Sequence, residues 1–329
     1  MIVSRTPLRI SFAGGGSDID SFYRHERGAV LSTAINKFIY ITVNRKFDRK
    51  IRASYSVTEI VDRVDDIHNE LVRESLRMVG LDAGVEITSI SDVPSEGTGL
   101  GSSSSYTVGL LNALYAQLGV YAGAERLAAE ACAIEIDRCG KPIGKQDQYI
   151  AAYGGLQYIQ FNPDETVSVD PVICSPRTKR RLRERLIMFY TGLTRSADGI
   201  LSEQKSNTES EESHRLALRE MTGLAGHLRD ALNANDLDSF GDIMHRGWML
   251  KRRLASSIST DLIDDWYDRA RKHGAAGGKI LGAGGGGFLL LYAPPEKHAA
   301  IAAALPELRQ IQWELEPQGS KIIYVEESV

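Results

Sequence analysis

At 329 residues the chain is longer than one modest core usually organises, so two packed lobes are expected. Hydrophobic residues at 43% and charged residues at 25% fall in the ordinary globular range, which sets aside disorder, collagen and coiled coil. With 39 Lys and Arg against 43 Asp and Glu, the net charge of −4 lacks the positive excess that neutralises a nucleic-acid backbone, though a local patch could hold a small anion.

In chain order, residues 8–13 and 38–45 are rich in β-branched and aromatic residues and read as strands, as do 51–57 and 84–90. Ser102 to Leu118 and Ala124 to Arg138 carry apolar residues at helical spacing, joined by a short turn. Leu156 to Phe161, Val167 to Val172 and Leu186 to Tyr190 read as further strands. From about 197 to 273 the pattern is helical and charged. A strand at Gly287 to Tyr292, a helix from Pro295 to Leu305 and two short strands close the chain. Strands and helices do not alternate regularly, which points to an α+β fold. The best single division lies near 175–185, giving lobes 1–180 and 181–329; the Lys179-Arg180-Arg181 run beside it reads as a solvated face.

The three cysteines, Cys132, Cys139 and Cys174, are an odd number without metal-like pairing, and Met1-Ile-Val-Ser-Arg lacks a signal-peptide layout. The longest apolar runs, Phe288 to Ala293 and Ala299 to Leu305, fall far short of a bilayer span. A reduced, cytoplasmic protein with neither nucleic acid nor membrane as partner is expected. The seven histidines show no metal-ligand spacing, so a catalytic zinc is not supported.

Glycine placement is the most informative feature. Eleven of the 31 glycines fall in three short windows: Gly14 to Gly16, Gly97 to Gly101 and Gly282 to Gly287. Such density implies positive φ angles or a backbone that comes close to something, whether a ligand or another strand. The middle window, followed by Ser102 to Ser105, leaves a strand and opens a helix. Unpaired N–H groups at a helix start suit phosphate oxygens, glycines allow close approach, and serine hydroxyls donate to phosphate or ligate Mg²⁺. Serine is also a common helix cap, but four in a row exceed what one cap requires. Two familiar phosphate signatures fail. Gly140 to Gln146 has the wrong spacing for a Walker A loop and ends in Gln. Gly282, Gly284 and Gly287 match the dinucleotide fingerprint literally, but a strand follows where a helix should begin.

Taken together, the three windows resemble the three motifs of the GHMP kinases. They are carried by Arg5 to Asp18, by Gly97 to Ser105 and by Lys279 to Gly287, in order along the whole chain. Pro7-Leu-Arg-Ile-Ser-Phe-Ala-Gly-Gly-Gly-Ser-Asp18 is similar to the heptose-kinase branch, with fucokinases nearby. Where galactokinase has Gly-Glu-His-Thr-Asp, this chain has Gly14-Gly15-Gly16-Ser17-Asp18. The Glu and His of a galactose pocket are missing, while Asp18 remains to hold sugar hydroxyls. The resemblance implies an N-terminal lobe like the second domain of ribosomal protein S5, a C-terminal ferredoxin-like lobe, and ATP and sugar meeting between them.

It further implies that Gly97, Gly99, Leu100, Gly101, Ser102, Ser103 and Ser104 bind the nucleotide phosphates. Gly144-Lys-Gln-Asp147-Gln resembles the element whose aspartate is the base, so Asp147 is expected to take the acceptor proton, with Arg9 as its cationic partner. Asp147 could otherwise cap a helix, and Arg9 could be an exposed strand residue, since it alternates with Leu8, Ile10 and Phe12. Ser103 and Glu135 match the magnesium pair. Asp18, Gly15, Gly16, Ser17, Gly284 and Gly285 are expected on the substrate, and Arg195, in a turn-like segment, at a sugar phosphate. Lys145 could contact either substrate. The implied activity is ATP- and Mg²⁺-dependent phosphorylation of the anomeric hydroxyl of heptose 7-phosphate. Unphosphorylated heptose, fucose or another hexose stays open as acceptor, as does a homodimer. A catalytically silent sugar sensor is the rival of another class, against which Asp147, Glu135 and Ser103 all stand.

Overall fold

A computed structural model describes residues 1–94, 97–194 and 196–326. The strands β1 (Ile2–Ala13), β2 (Gly28–Arg45), β3 (Ile51–Ser54), β4 (Thr58–Val61), β5 (Val85–Ser91), β6 (Leu156–Phe161) and β7 (Val167–Pro171) belong to one sheet. A second sheet holds β8 (Leu186–Tyr190), β9 (Gly277–Ile280), β10 (Phe288–Tyr292) and β11 (Arg309–Gln310), in the order β11-β8-β10-β9. The last strand, β12 (Lys321–Val325), returns to the first sheet and pairs antiparallel with β1. Residues counted with the second lobe in the sequence-based division thus close the first.

The long β2 organises the first sheet. It lies against β1 along most of its length, against β6 over Gly28 to Thr33 and against β5 over Ile39 to Arg45. The helices are α1 (Asp20–Tyr23), α2 (Glu70–Val79), α3 (Ser102–Gln117), α4 (Ala124–Cys132), α5 (Gln146–Tyr153) and α6 (Pro176–Glu184) in the first half of the chain. They are followed by α7 (Ala197–Ser210), α8 (Glu212–Asn233), α9 (Phe240–Lys251), α10 (Asp261–Lys272) and α11 (His298–Ala304). One core lies under α3, α4 and α5, with Val108, Leu111, Leu127, Ile134 and Ile150 buried. Another packs α8 to α10 on the second sheet around Trp248, Trp266, Leu289 and Leu291. Among the described residues no helix is long and apolar enough to cross a membrane.

The expected helix from Ala124 to Arg138 is not uniform. After Cys132 it widens into a π-helical turn, Ala133–Arg138, and this turn holds Glu135 fully buried. The strand expected over 51–57 stops at Ser54 and hairpins into β4. The stretch read as a break at 175–177 begins a helix instead: Ser175 Oγ accepts from the Thr178 N–H at 3.1 Å, and Pro176 occupies its first turn. Lys179 and Arg180 on that helix are exposed.

Candidate active site

A cleft of about 280 Å³ lies where the start of α3, the loop after β1, the start of α5, the end of α9 and the β9–β10 loop converge. The α3 side is shaped by alternating left-handed glycines, with φ of 64°, 73° and 76° at Gly97, Gly99 and Gly101. A side chain at Gly99 would place its Cβ 2.4 Å from the Leu281 carbonyl oxygen, and one at Gly282 would meet the Gly99 Cα at the same 2.4 Å. The second and third glycine windows therefore exist partly to let two loops cross backbone to backbone. Gly101 begins α3 without any side-chain cap, so the first N–H groups of the helix are left for a ligand.

The serines neither cap α3 nor stand free. Ser103 Oγ donates to Glu135 Oε1 at 2.6 Å, and Ser104 Oγ donates to Oε2 at 2.8 Å. Gln148 Nε2 donates to Glu135 as well. Ser102 Oγ lies 3.4 Å from Thr98 Oγ1, and Ser105 Oγ donates to the Pro7 carbonyl. Burial pushes the Glu135 carboxyl above its ordinary range, against the pull of the three donors. Leu100 is buried in the core; its carbonyl accepts from the Arg9 N–H at 3.1 Å, so it shapes the loop from behind.

Asp147 sits in the first turn of α5, whose cap position is Lys145, so it does not serve as an N-cap. Arg9 grips it with two hydrogen bonds, Nε to Oδ1 at 2.6 Å and Nη2 to Oδ2 at 2.5 Å. The third arm, Nη1, donates to the Gly99 carbonyl at 2.5 Å. Arg9 does alternate with Leu8, Ile10 and Phe12 along β1, but both faces are covered here and only 4% of Arg9 is exposed. One guanidinium thereby ties the carboxylate to the glycine loop, and the planar fork fits both.

On the opposite wall Asp18 is buried. Its Oδ1 accepts from the Gly16 N–H at 2.8 Å and from Gln146 Nε2 at 3.1 Å; Oδ2 accepts from the Gln146 N–H at 3.2 Å. Burial raises its pKa, and the charge of Asp147 adds to the rise. Ser17, expected on the sugar, is spent within the protein: its hydroxyl donates to the Gly14 and Ala29 carbonyls and accepts the Ala29 N–H. Gly16 and Gly284 line the cleft. Gly285 turns away, its N–H donating to the Ile258 carbonyl at 2.8 Å. Lys145 also points elsewhere, bonding Glu165 at 2.6 Å across the Tyr23 ring. Arg195 lies outside the described residues.

Sequence reasoning overlooked Lys251, Gln204 and Gln146. Lys251, at the end of α9, lines the cleft and donates to the Gly282 carbonyl at 2.5 Å; burial pushes its pKa down to about 8. Behind it Lys279 donates to Ser11 Oγ at 3.1 Å, its pKa also driven down by burial. Gln204 of α7 lines the cleft while nearly all buried. A signal for two of these was present. Phe240, Met244 and Trp248 form the buried stripe of α9, and Lys251 continues it, as Gln204 stands between Ile200 and Thr208 on the buried stripe of α7.

Two family models match the chain: GHMP kinases N terminal domain over residues 64–155 and GHMP kinases C terminal over residues 228–311. A D-glycero-alpha-D-manno-heptose 7-phosphate kinase of Campylobacter jejuni is 30% identical, covering 92% of this chain and 93% of its own length. The chain belongs to the GHMP kinase family. It is an enzyme, an ATP-dependent kinase with sugar kinases prominent among its relatives. A bifunctional fucokinase/GDP-fucose pyrophosphorylase of Arabidopsis thaliana is 26% identical over 84% of this chain, which spans 28% of that longer protein. Among solved structures, a D-glycero-D-manno-heptose 1-phosphate kinase from Bacteroides thetaiotaomicron shares the fold with a TM-score of 0.81 at 23% identity, covering 99% of this chain and all of the other. A putative sugar kinase from Campylobacter jejuni aligns with a TM-score of 0.78 at 26% identity, covering 98% of this chain and 97% of the other.

Proposed function

We propose that the protein transfers the γ-phosphoryl group of ATP to the anomeric hydroxyl of D-glycero-D-manno-heptose 7-phosphate. The product, a 1,7-bisphosphate, would feed nucleotide-activated heptose and surface polysaccharide synthesis in the cytoplasm. The choice of sugar rests on the heptose 7-phosphate kinase relative, alike over nearly the whole of both chains. The chemistry rests above all on Arg9, which bonds Asp147 with two nitrogens and the Gly99 carbonyl with the third. A base fixed to the phosphate loop in this way keeps acceptor oxygen and γ-phosphorus in register.

In this reading the open N–H groups at the start of α3 hold the nucleotide phosphates, and the Gly97–Gly101 backbone wraps them. Asp147 accepts the proton of the attacking hydroxyl, while Arg9 steadies the charge that develops on the acceptor oxygen. Asp18 holds Gly16 and Gln146 in place at the sugar, and Arg195 is assigned to the 7-phosphate. Ser103 Oγ and Glu135 Oε1, hard oxygen atoms 2.6 Å apart beside the phosphate loop, fit a magnesium site. They would hold the ion, which when bound neutralises phosphate charge; a nearby cation would also relieve the burial that opposes ionisation of Glu135. The lobes are assigned to residues 1–180 and 181–329, with β12 completing the first sheet.

A coupled ADP-release assay across heptoses, their 7-phosphates, fucose, mannose and galactose tests the reading. The highest kcat/KM is expected on heptose 7-phosphate. A preference for unphosphorylated fucose would shift the acceptor toward that of the fucokinase relative, and ADP release with no sugar would end the proposal.

A further inference from the structure

Polar atoms at the bottom of the cleft divide sharply by whether they have partners. Lys251 is 5% exposed; among the described residues no carboxylate lies within ion-pair distance of it, and its one hydrogen bond goes to the Gly282 carbonyl. An ammonium has three N–H donors, so two are unused. Gln204 is 1% exposed and its Nε2 has no partner among the described residues. Gln146 Oε1 is buried and without a donor. A buried, unmatched polar group costs roughly 1–3 kcal/mol, and it persists where something else completes it.

These atoms gather around two consecutive glycines. A Cβ on Gly15 would lie 3.5 Å from Gln146 Nε2, 3.8 Å from Ser11 Oγ and 3.9 Å from Lys251 Nζ. A Cβ on Gly16 would lie 2.5 Å from Gln204 Nε2. The absent side chains at 15 and 16 thus let Gln204 of α7, Lys251 of α9 and Gln146 of α5 pack against one short turn, and all three line the cleft. Vicinal hydroxyls on a sugar ring offer their complement, since each oxygen both accepts and donates.

We infer that Lys251 and Gln204, from helices of the second lobe, donate to vicinal ring hydroxyls of the acceptor sugar while Gln146 Oε1 accepts from one of them. This assignment rests on the sugar-kinase reading and makes the second lobe a specificity element for the ring. It separates ring recognition from recognition of the sugar's phosphate.

The test uses the full-length enzyme with D-glycero-D-manno-heptose 7-phosphate, the unphosphorylated heptose, and ring-deoxy derivatives of each. Lys251→Met and Gln204→Leu are each expected to raise the acceptor KM roughly tenfold, with the KM for ATP unchanged. The factor is the same with and without the 7-phosphate. In a double cycle, one deoxy sugar loses affinity for the wild type but not further for Lys251→Met, the coupling a direct contact requires. Melting temperature and the KM for ATP show that the variants are folded. Additive losses for every deoxy sugar, or a loss confined to the phosphorylated acceptor, would overturn the assignment and leave the kinase reading standing. A wild type that turns over no sugar overturns both.

Discussion

The two walls of the cleft differ in how far their polar groups are paired. On the nucleotide side, Ser103, Ser104 and Gln148 all bond Glu135, and Arg9 satisfies both oxygens of Asp147, although Gln148 Oε1 has no partner among the described residues. On the acceptor side, Lys251 keeps two N–H donors idle, and Gln204 Nε2 and Gln146 Oε1 have no partner among the described residues. Carboxylates gripped in this way fix geometry before any ligand arrives, which is what in-line phosphoryl transfer needs. A set of unmatched groups reads the ligand, because an acceptor that lacks the matching hydroxyl leaves them unpaired. In the proposed reading, preorganisation and discrimination fall on different walls.

The sharpest way to break this contrast is at Asp147. Asp147→Asn keeps the shape of the carboxyl but cannot take a proton, so kcat is expected to fall by about 10²- to 10⁴-fold with little change in acceptor KM. A kcat near that of the wild type would show that the Arg9–Asp147 contact serves folding alone. Gly99→Ala attacks the same wall through its backbone. Its φ of 73° and a Cβ 2.4 Å from the Leu281 oxygen leave a methyl group no place. Stability is expected to drop by about 3 kcal/mol, seen as a lowered urea midpoint, from left-handed strain and overpacking together. An unchanged midpoint would mean that the two loops do not press on each other as described.

The nucleotide wall was the more legible of the two in the sequence. Glycine at alternating positions before a serine run announces a constrained loop at a helix start, and Asp147 and Arg9 could be placed by resemblance to a family motif. The same resemblance paired Ser103 with Glu135, but that Ser104 and Gln148 join them could not be read, because Glu135 reaches them through a π turn that no periodicity announces. The acceptor wall was half visible. Asp18 and the Gly14–Gly16 turn stood out, but Ser17 faces inward because the tight turn aims its hydroxyl at Ala29. Lys251 and Gln204 sit on ordinary amphipathic helices, and only their places on the apolar stripes mark them. Helices α2 and α6 were missed although their ends are written plainly: Asn69 accepts from the Val72 N–H, Gly80 turns left-handed, and Ser175-Pro176 opens α6.

Gly15→Ala probes the acceptor wall without disturbing the fold. Unlike Gly99, Gly15 has no left-handed φ, and its Cβ would meet only ordinary contacts of 3.5 Å or more. The added methyl group lies among Gln146, Ser11 and Lys251, where the ring hydroxyls are assigned. Melting temperature is expected to hold, while the acceptor KM rises severalfold and the ATP KM stays put. An acceptor KM equal to that of the wild type would move the sugar away from the glycine turn.

The smallest expected effect is also the most specific. Lys251 has its pKa lowered to about 8, first because burial strips the ammonium of water. The charged groups that act on it are Asp18 on the loop after β1 and Asp147 on α5, which favour the charge, and Arg9 on β1, which opposes it; Lys251 in turn helps to drive down the pKa of Lys279 on β9. In the free enzyme the ammonium is therefore mostly intact at pH 7 and mostly lost by pH 9. If the protonated form binds the ring hydroxyls better, acceptor binding holds the proton on, and affinity must fall as pH rises through about 8. A rise of about threefold in acceptor KM between pH 7 and 9 is expected for the wild type, since a neutral amine still makes part of the contact. Both substrates' phosphates are already ionised across this window, so they add no slope of their own. Lys251→Met should remove the slope while starting from a higher KM. A slope that survives in the variant would assign the titration to another group, and with it the claim that this lysine meets the sugar in its charged form would be lost.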